Sequence, residues 1–258
     1  MNNKSIKYLD ILLPFIALGI VVALWAIVAA AVGSQIVFPS LLSTLKALFN
    51  LFGEGSFYVS IGNSLLRVLI SFVISFLFAL IFAILSSLLK NVGKVVSILT
   101  SIMRTIPTMS IILLALIWLS TLNAPMLVAI LVIFPLQYAG LLNAIVNVDP
   151  RLIEMAKIYN VPIKKQILNL YLPEAAPSVF STIKSTISLN VKLIIAAEVM
   201  AQTRASMGLQ MQQASMYLEM DVLFAWTIIA VVLGLILEGI VTLVEKLTIG
   251  GKRWRFRI

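Results

Sequence analysis

The chain has 258 residues, 61% of them hydrophobic and 11% charged, with a mean hydropathy of +1.10. Soluble domains carry roughly 25% charged residues, so this composition excludes an ordinary soluble globule and places the chain in a lipid bilayer. Cysteine and histidine are both absent, which excludes disulfides and thiolate chemistry and removes the usual general base, proton relay and most zinc ligands.

Six apolar segments, near 11–32, 64–89, 107–120, 124–146, 174–200 and 222–245, organise the chain. Most reach the roughly 20 residues that cross a hydrocarbon core; the third is short and continues from the polar stretch before it. The predicted fold is an all-α membrane protein of about six transmembrane helices in one domain, without repeats. Six crossings put both termini on one side. Of the 19 Lys and Arg residues only Lys46 and Arg204 then fall on the opposite side, with Arg67, Lys184 and Lys192 inside the spans and Arg104 counted on the basic side. The basic side is the cytoplasmic one, so both termini are expected in the cytoplasm. The net charge of +9 is topological and implies no nucleic-acid partner.

In chain order, the run from Ile11 to Val32 ends in Ala29-Ala30-Ala31, a small-residue site. It is longer than the roughly 7–15 residues of a signal core, so a retained anchor is expected. Pro39-Ser40-Leu41 opens a short capped helix at the interface, and Gly53-Glu54-Gly55 reads as a turn. Arg67, near the outer end of the second span, is expected to snorkel to the headgroups. The amphipathic stretch Lys90–Arg104 leads into Pro107, which suits the first turn of a new helix. Leu122-Asn123-Ala124-Pro125 is a tight uncharged turn, and Pro135 should kink the fourth span. Gly250-Gly251-Lys252 lacks the spacing of a phosphate loop, so no nucleotide is bound by that route.

The segment EMAKIYNVPIKKQILNLYLP, residues 154–173, interrupts this apolar chain with a basic, polar hairpin. Asp149 and Pro150 supply an N-cap and a first helical residue. Leu152, Met155, Ala156 and Tyr159 share one apolar face, leaving Glu154 and Lys157 for water or a partner. Asn160 tolerates the left-handed conformation that ends a helix, and Pro162 starts a second short helix that Leu172-Pro173 should stop. Pattern alone leaves two readings open, a rigid helix–turn–helix for a partner or an interfacial connector.

Glu154-Met155-Ala156, Asn160 four residues beyond the Ala, and the distant Leu172-Pro173 resemble the EAA loop of permease subunits of ATP-binding cassette importers, with Met155 for the middle Ala and Asn160 for the usual Gly. Ser64-Leu65-Leu66-Arg67, Arg104-Thr105-Ile106-Pro107, Ala197-Glu198, Gly208-Leu209 and the ending Gly234 to Trp254 look like the branch that imports sulfonates, taurine, nitrate or thiamine precursors. The resemblance implies an importer core over about 60–250 in a single permease domain spanning 1–258. It makes Glu154, Met155, Ala156, Lys157, Asn160 and Pro162 a cytoplasmic coupling helix that docks on a separate ATPase subunit, which would bind ATP and Mg; this chain would hold no cofactor. It further implies a second permease copy, favouring a homodimer, an extracytoplasmic solute-binding protein, and a prokaryotic inner-membrane location.

Helical geometry singles out the fifth span and leaves two readings open, a pathway lining or lysines that snorkel to either surface beside serines that pack helices. Ser181, Ser185, Ser188 and Lys192 lie within roughly 60° of one another, and Lys184 widens the stripe to about 100°. Intramembrane lysines face a cavity, partner or water by default, and a positive lining favours an anionic solute. Glu198, near the outer end, could pair with Lys192 or Arg204. Thr203–Asp221, with four methionines, reads as a re-entrant or interfacial gate helix. Two other function classes compete: an intramembrane Ser/Lys hydrolase using Ser181–Lys184, Ser185–Lys192 or Ser188–Lys192, and an ion-coupled transporter, disfavoured by the scarcity of acidic residues in the spans.

Overall fold

A computed structural model of the chain describes residues 3–249, with side chains throughout from Gly19 onward. Among the described residues eleven α-helices follow one another: α1 (Asn3–Val32), α2 (Leu41–Leu51), α3 (Gly55–Leu88), α4 (Lys90–Thr105), α5 (Thr108–Trp118), α6 (Ala124–Val146), α7 (Pro150–Ile158), α8 (Ile163–Gln166), α9 (Leu172–Ala201), α10 (Met207–Met216) and α11 (Met220–Ile249). No strand occurs among the described residues. The basic C-terminal run from Lys252 and the Gly250-Gly251-Lys252 motif lie outside them, as do the side chains of Lys4 and Lys7.

Four segments are long and apolar enough to cross a bilayer alone: α3, α6, the rod Ile163–Ala201 and α11. The α4–α5 pair, bent by 97° at Ile106-Pro107, is apolar enough for a broken span or a re-entrant loop, and α1 contributes the apolar stretch Gly19–Val32. The all-α architecture and the span positions follow the hydropathy, with one difference. The third apolar segment is not a simple helix from 107 but belongs to two helices meeting at a sharp elbow.

The centre of the bundle is α3, α6 and α9. Along α3, Ser60, Ser64, Ser71, Ser75, Ala79 and Ala83 form a buried stripe, while Leu66, Val73, Leu77 and Ile81 face outward. Lipid offers helices no hydrophobic reason to associate, so small residues that allow close packing and interhelical hydrogen bonds carry the contact. Ser75 Oγ donates to Gln137 Oε1 at 2.6 Å, and Asn190 Nδ2 donates to Val68 O at 2.8 Å. At Gly140 on α6, a Cβ would come within 2.2 Å of Thr182 on α9, so glycine is required by the approach of the two helices.

The chain leaves this core at two ends. At the hairpin end, α7 and α8 join α6 to α9; at the far end, α2 and α10 cap the bundle. Ser40 caps α2 as expected, its Oγ accepting from Ser43 N at 3.2 Å. Thr203–Asp221 contains a real helix, α10, capped by Ser206, with Met207 fully buried.

Leu172-Pro173 does not stop the second limb of the hairpin. One π-helical turn, Ile167–Tyr171, joins α8 to α9, and Leu172 N bonds back to Ile167 O. A proline ring clashes with the carbonyl four residues earlier and lacks an N–H; a wider turn just before Pro173 relieves that conflict without breaking the helix. The limb and the fifth crossing are therefore one continuous rod.

Candidate functional site

The hairpin is built by local chemistry. Asp149 caps α7, its carboxylate accepting from Arg151 N at 2.9 Å, with Pro150 at the first position. Asn160 takes φ +49°, the left-handed value its side chain tolerates. Val161 N bonds to Ala156 O at 2.9 Å and Asn160 N to Lys157 O at 3.0 Å, the paired closing bonds of a Schellman motif. Gln166 Nε2 then donates to Val161 O at 2.7 Å, tying the second limb to the turn.

The expected apolar face of α7 is only partly packed. Ala156 is buried and Leu152 half-buried, but Met155 is 50% exposed and Tyr159 76%. Ile158 at 76% and Ile163 at 69% join them in an apolar patch on the projecting turn. Glu154, Lys157, Asn160 and Pro162 are also exposed. The hairpin is thus anchored through Ala156 and presents its larger side chains outward.

The α9 stripe divides. Ser181, Ser185 and Lys192 are exposed on one face of the rod. Ser188 Oγ donates to Glu238 on α11 at 3.0 Å, beside a groove of about 340 Å³ lined by Glu238, Gly239, Thr242 and Lys246. Lys184 Nζ lies 2.6 Å from Glu245 Oε2, a partner that sequence reasoning did not find. Lys192 has no carboxylate within 4.0 Å among the described residues.

These contacts disfavour the hydrolase. Ser185 Oγ donates to Thr182 O and Ser188 to Glu238, so neither hydroxyl addresses a lysine, and Lys184 is engaged by a carboxylate. A serine nucleophile needs its base within hydrogen-bond reach.

Glu198 leaves the stripe altogether. It is fully buried and faces α3 and α10. Arg67 Nη1 donates to Glu198 Oε1 at 2.9 Å, Ser64 Oγ lies 2.8–2.9 Å from both carboxylate oxygens, and Gly208 N donates to Oε2 at 3.2 Å. Met207 N donates to Ser64 Oγ at 3.0 Å. Arg67 therefore does not snorkel, and Glu198 pairs with neither Lys192 nor Arg204. The separate motifs at Ser64–Arg67, Ala197-Glu198 and Gly208-Leu209 meet at this point, which locks the start of α10 to two spans.

The α3–α6–α9 bundle, the bent α4–α5 pair and the capped hairpin make an all-α fold of apolar, membrane-length helices. The chain matches, with a TM-score of 0.57 and 17% identity over 94% of its length and 97% of the other chain, a bacterial ABC transporter involved in the import of the acidic polysaccharide alginate; at that identity the match establishes the fold. The family described as binding-protein-dependent transport system inner membrane component matches residues 75–250, and the chain belongs to it. It is 30% identical over 244 residues to SsuC of Escherichia coli (strain K12), named for aliphatic sulfonates transport, covering 93% of this chain and 90% of that protein. The protein of the same name from Bacillus subtilis (strain 168) is 23% identical over 240 residues, covering 92% and 85%. The chain is accordingly a multi-pass permease subunit of a prokaryotic ATP-binding cassette importer, with no ATPase site of its own.

Proposed function

We propose that two copies of this chain form the translocation pathway for a small anionic solute, of the sulfonate type for which its relatives are named. An extracytoplasmic binding protein delivers the solute, and separate ATPase subunits, which hold the ATP and Mg, grip the hairpin from the cytoplasm. The observation that carries this reading is the outward display of Met155, Ile158, Tyr159 and Ile163 on a Schellman-closed turn. A contiguous apolar patch rimmed by charge marks a protein contact. Closure of the ATPase pair on ATP then displaces the hairpins, and the π turn passes that displacement into the rod carrying Ser181, Ser185 and Lys192.

The test replaces Glu154 with Arg in the complex of this chain with its ATPase and binding protein. Uptake should fall at least tenfold while membrane insertion stays normal and the ATPase subunit elutes separately. Solute uptake that persists with no ATPase subunit present would refute the reading.

A further inference from the structure

The geometry points to Arg104 as an oxyanion-binding group at the midpoint of the pathway. This extends the permease reading to a residue that hydropathy had assigned to the cytoplasmic surface. Arg104 Nη2 donates to Pro135 O at 2.7 Å. Pro135 stands at the centre of α6, about 17 Å from either end at 1.5 Å per residue. The path of α4 agrees: Val92 and Val96 pack with Tyr138, Leu141 and Leu142 nearer the hairpin end, and the helix climbs from there to Arg104. It ends at the 97° elbow, where the crossing is interrupted.

An arginine at this depth must be explained, because its guanidinium stays charged and too far from either surface to snorkel. Its side chain is exposed, and among the described residues its guanidinium makes one bond, to Pro135 O, and has no carboxylate within 4.0 Å. The remaining N–H groups therefore need an acceptor that lipid cannot supply. Water and solute in a conduit supply it, and broken helices near the midplane are where transporters place such contacts. The planar fork of the guanidinium matches two oxygens of a carboxylate or sulfonate head, so the ligand class is a small oxyanion.

The absence of native cysteine allows a direct test. Thr105, the exposed neighbour of Arg104, is changed to Cys in the full chain, held in lipid nanodiscs. The rates of its modification by 2-sulfonatoethyl and 2-(trimethylammonio)ethyl methanethiosulfonate are compared. Both reagents should react, and Arg104→Gln should lower the anionic-to-cationic rate ratio about tenfold. Arg104→Lys, which keeps the charge, should preserve most of that ratio. No reaction with either reagent, a ratio unchanged in Arg104→Gln, or an equal fall in Arg104→Lys would overturn the proposal. The measurement needs neither ATPase nor binding protein, so its failure leaves the Glu154→Arg test standing, and the reverse also holds.

Discussion

Arg67 and Glu198, 131 positions apart, form a 2.9 Å ion pair in which the carboxylate has no solvent exposure at all. Breaking a buried pair by removing one partner strands the other charge and costs about 3–5 kcal/mol, whereas replacing both with apolar groups is often neutral. Arg67→Met should therefore lower the thermal midpoint in detergent sharply, and the double variant Arg67→Met/Glu198→Met should recover most of the loss. A double variant no more stable than the single one would show that the pair is not what holds α10 in place.

Gly208 sits against the same node. A Cβ there would meet Glu198 Cβ at 2.4 Å and Val199 N at 2.6 Å, the second a backbone atom that cannot rotate away. Gly208→Ala should cost about 1–3 kcal/mol by overpacking and speed proteolysis of the 202–206 segment. Gly234→Ala, where a Cβ meets nothing within 4 Å, serves as the silent control.

Lys184 and Lys192 are separable by experiment. Lys184 is paired with Glu245, and each side chain is about a quarter exposed. Lys184→Met should impair uptake partly by leaving Glu245 alone, and Lys184→Met/Glu245→Gln should restore it. Lys192 has no such partner among the described residues, so Lys192→Gln should raise the KM for an anionic solute several-fold and find no rescue at Glu245. Transport assays on the assembled complex distinguish the two patterns.

At the turn, Asn160→Gly should be tolerated, since glycine adopts positive φ freely. Asn160→Val places a branched side chain at φ +49° and should cost about 1–2 kcal/mol. Hydrogen exchange at the Val161 amide, which bonds to Ala156 O, reads that loss directly as roughly tenfold faster opening.

The hairpin was legible in the sequence because its determinants are local. Asp149, Pro150 and Asn160 act within a few residues of themselves, and the structure places each in the role its chemistry indicated. The burial of Arg67 and Glu198 was hidden because hydropathy assigns depth without seeing which distant side chain a charge will meet. The bond from Arg104 to Pro135 O was hidden for a related reason: sequence order sets Arg104 before the third apolar run, while the 97° elbow brings it against the middle of α6. Glu245 gave no sign of seeking Lys184, since the two lie on different helices and pair only when α9 and α11 are in register. Leu172-Pro173 looked like a stop because proline usually is one; a widened turn is a tertiary solution with no signature of its own.

That widened turn makes Ile163–Ala201 a single lever. Ser185 lies about 30 Å along it from Lys164. A tilt of about 10°, within the scale of rigid-body rotations in switching proteins, swings Ser185 sideways by roughly 5 Å. On the proposed coupling, torque applied at the exposed turn would be geared into a stroke wide enough to admit or shut out a molecule the size of a small organic acid.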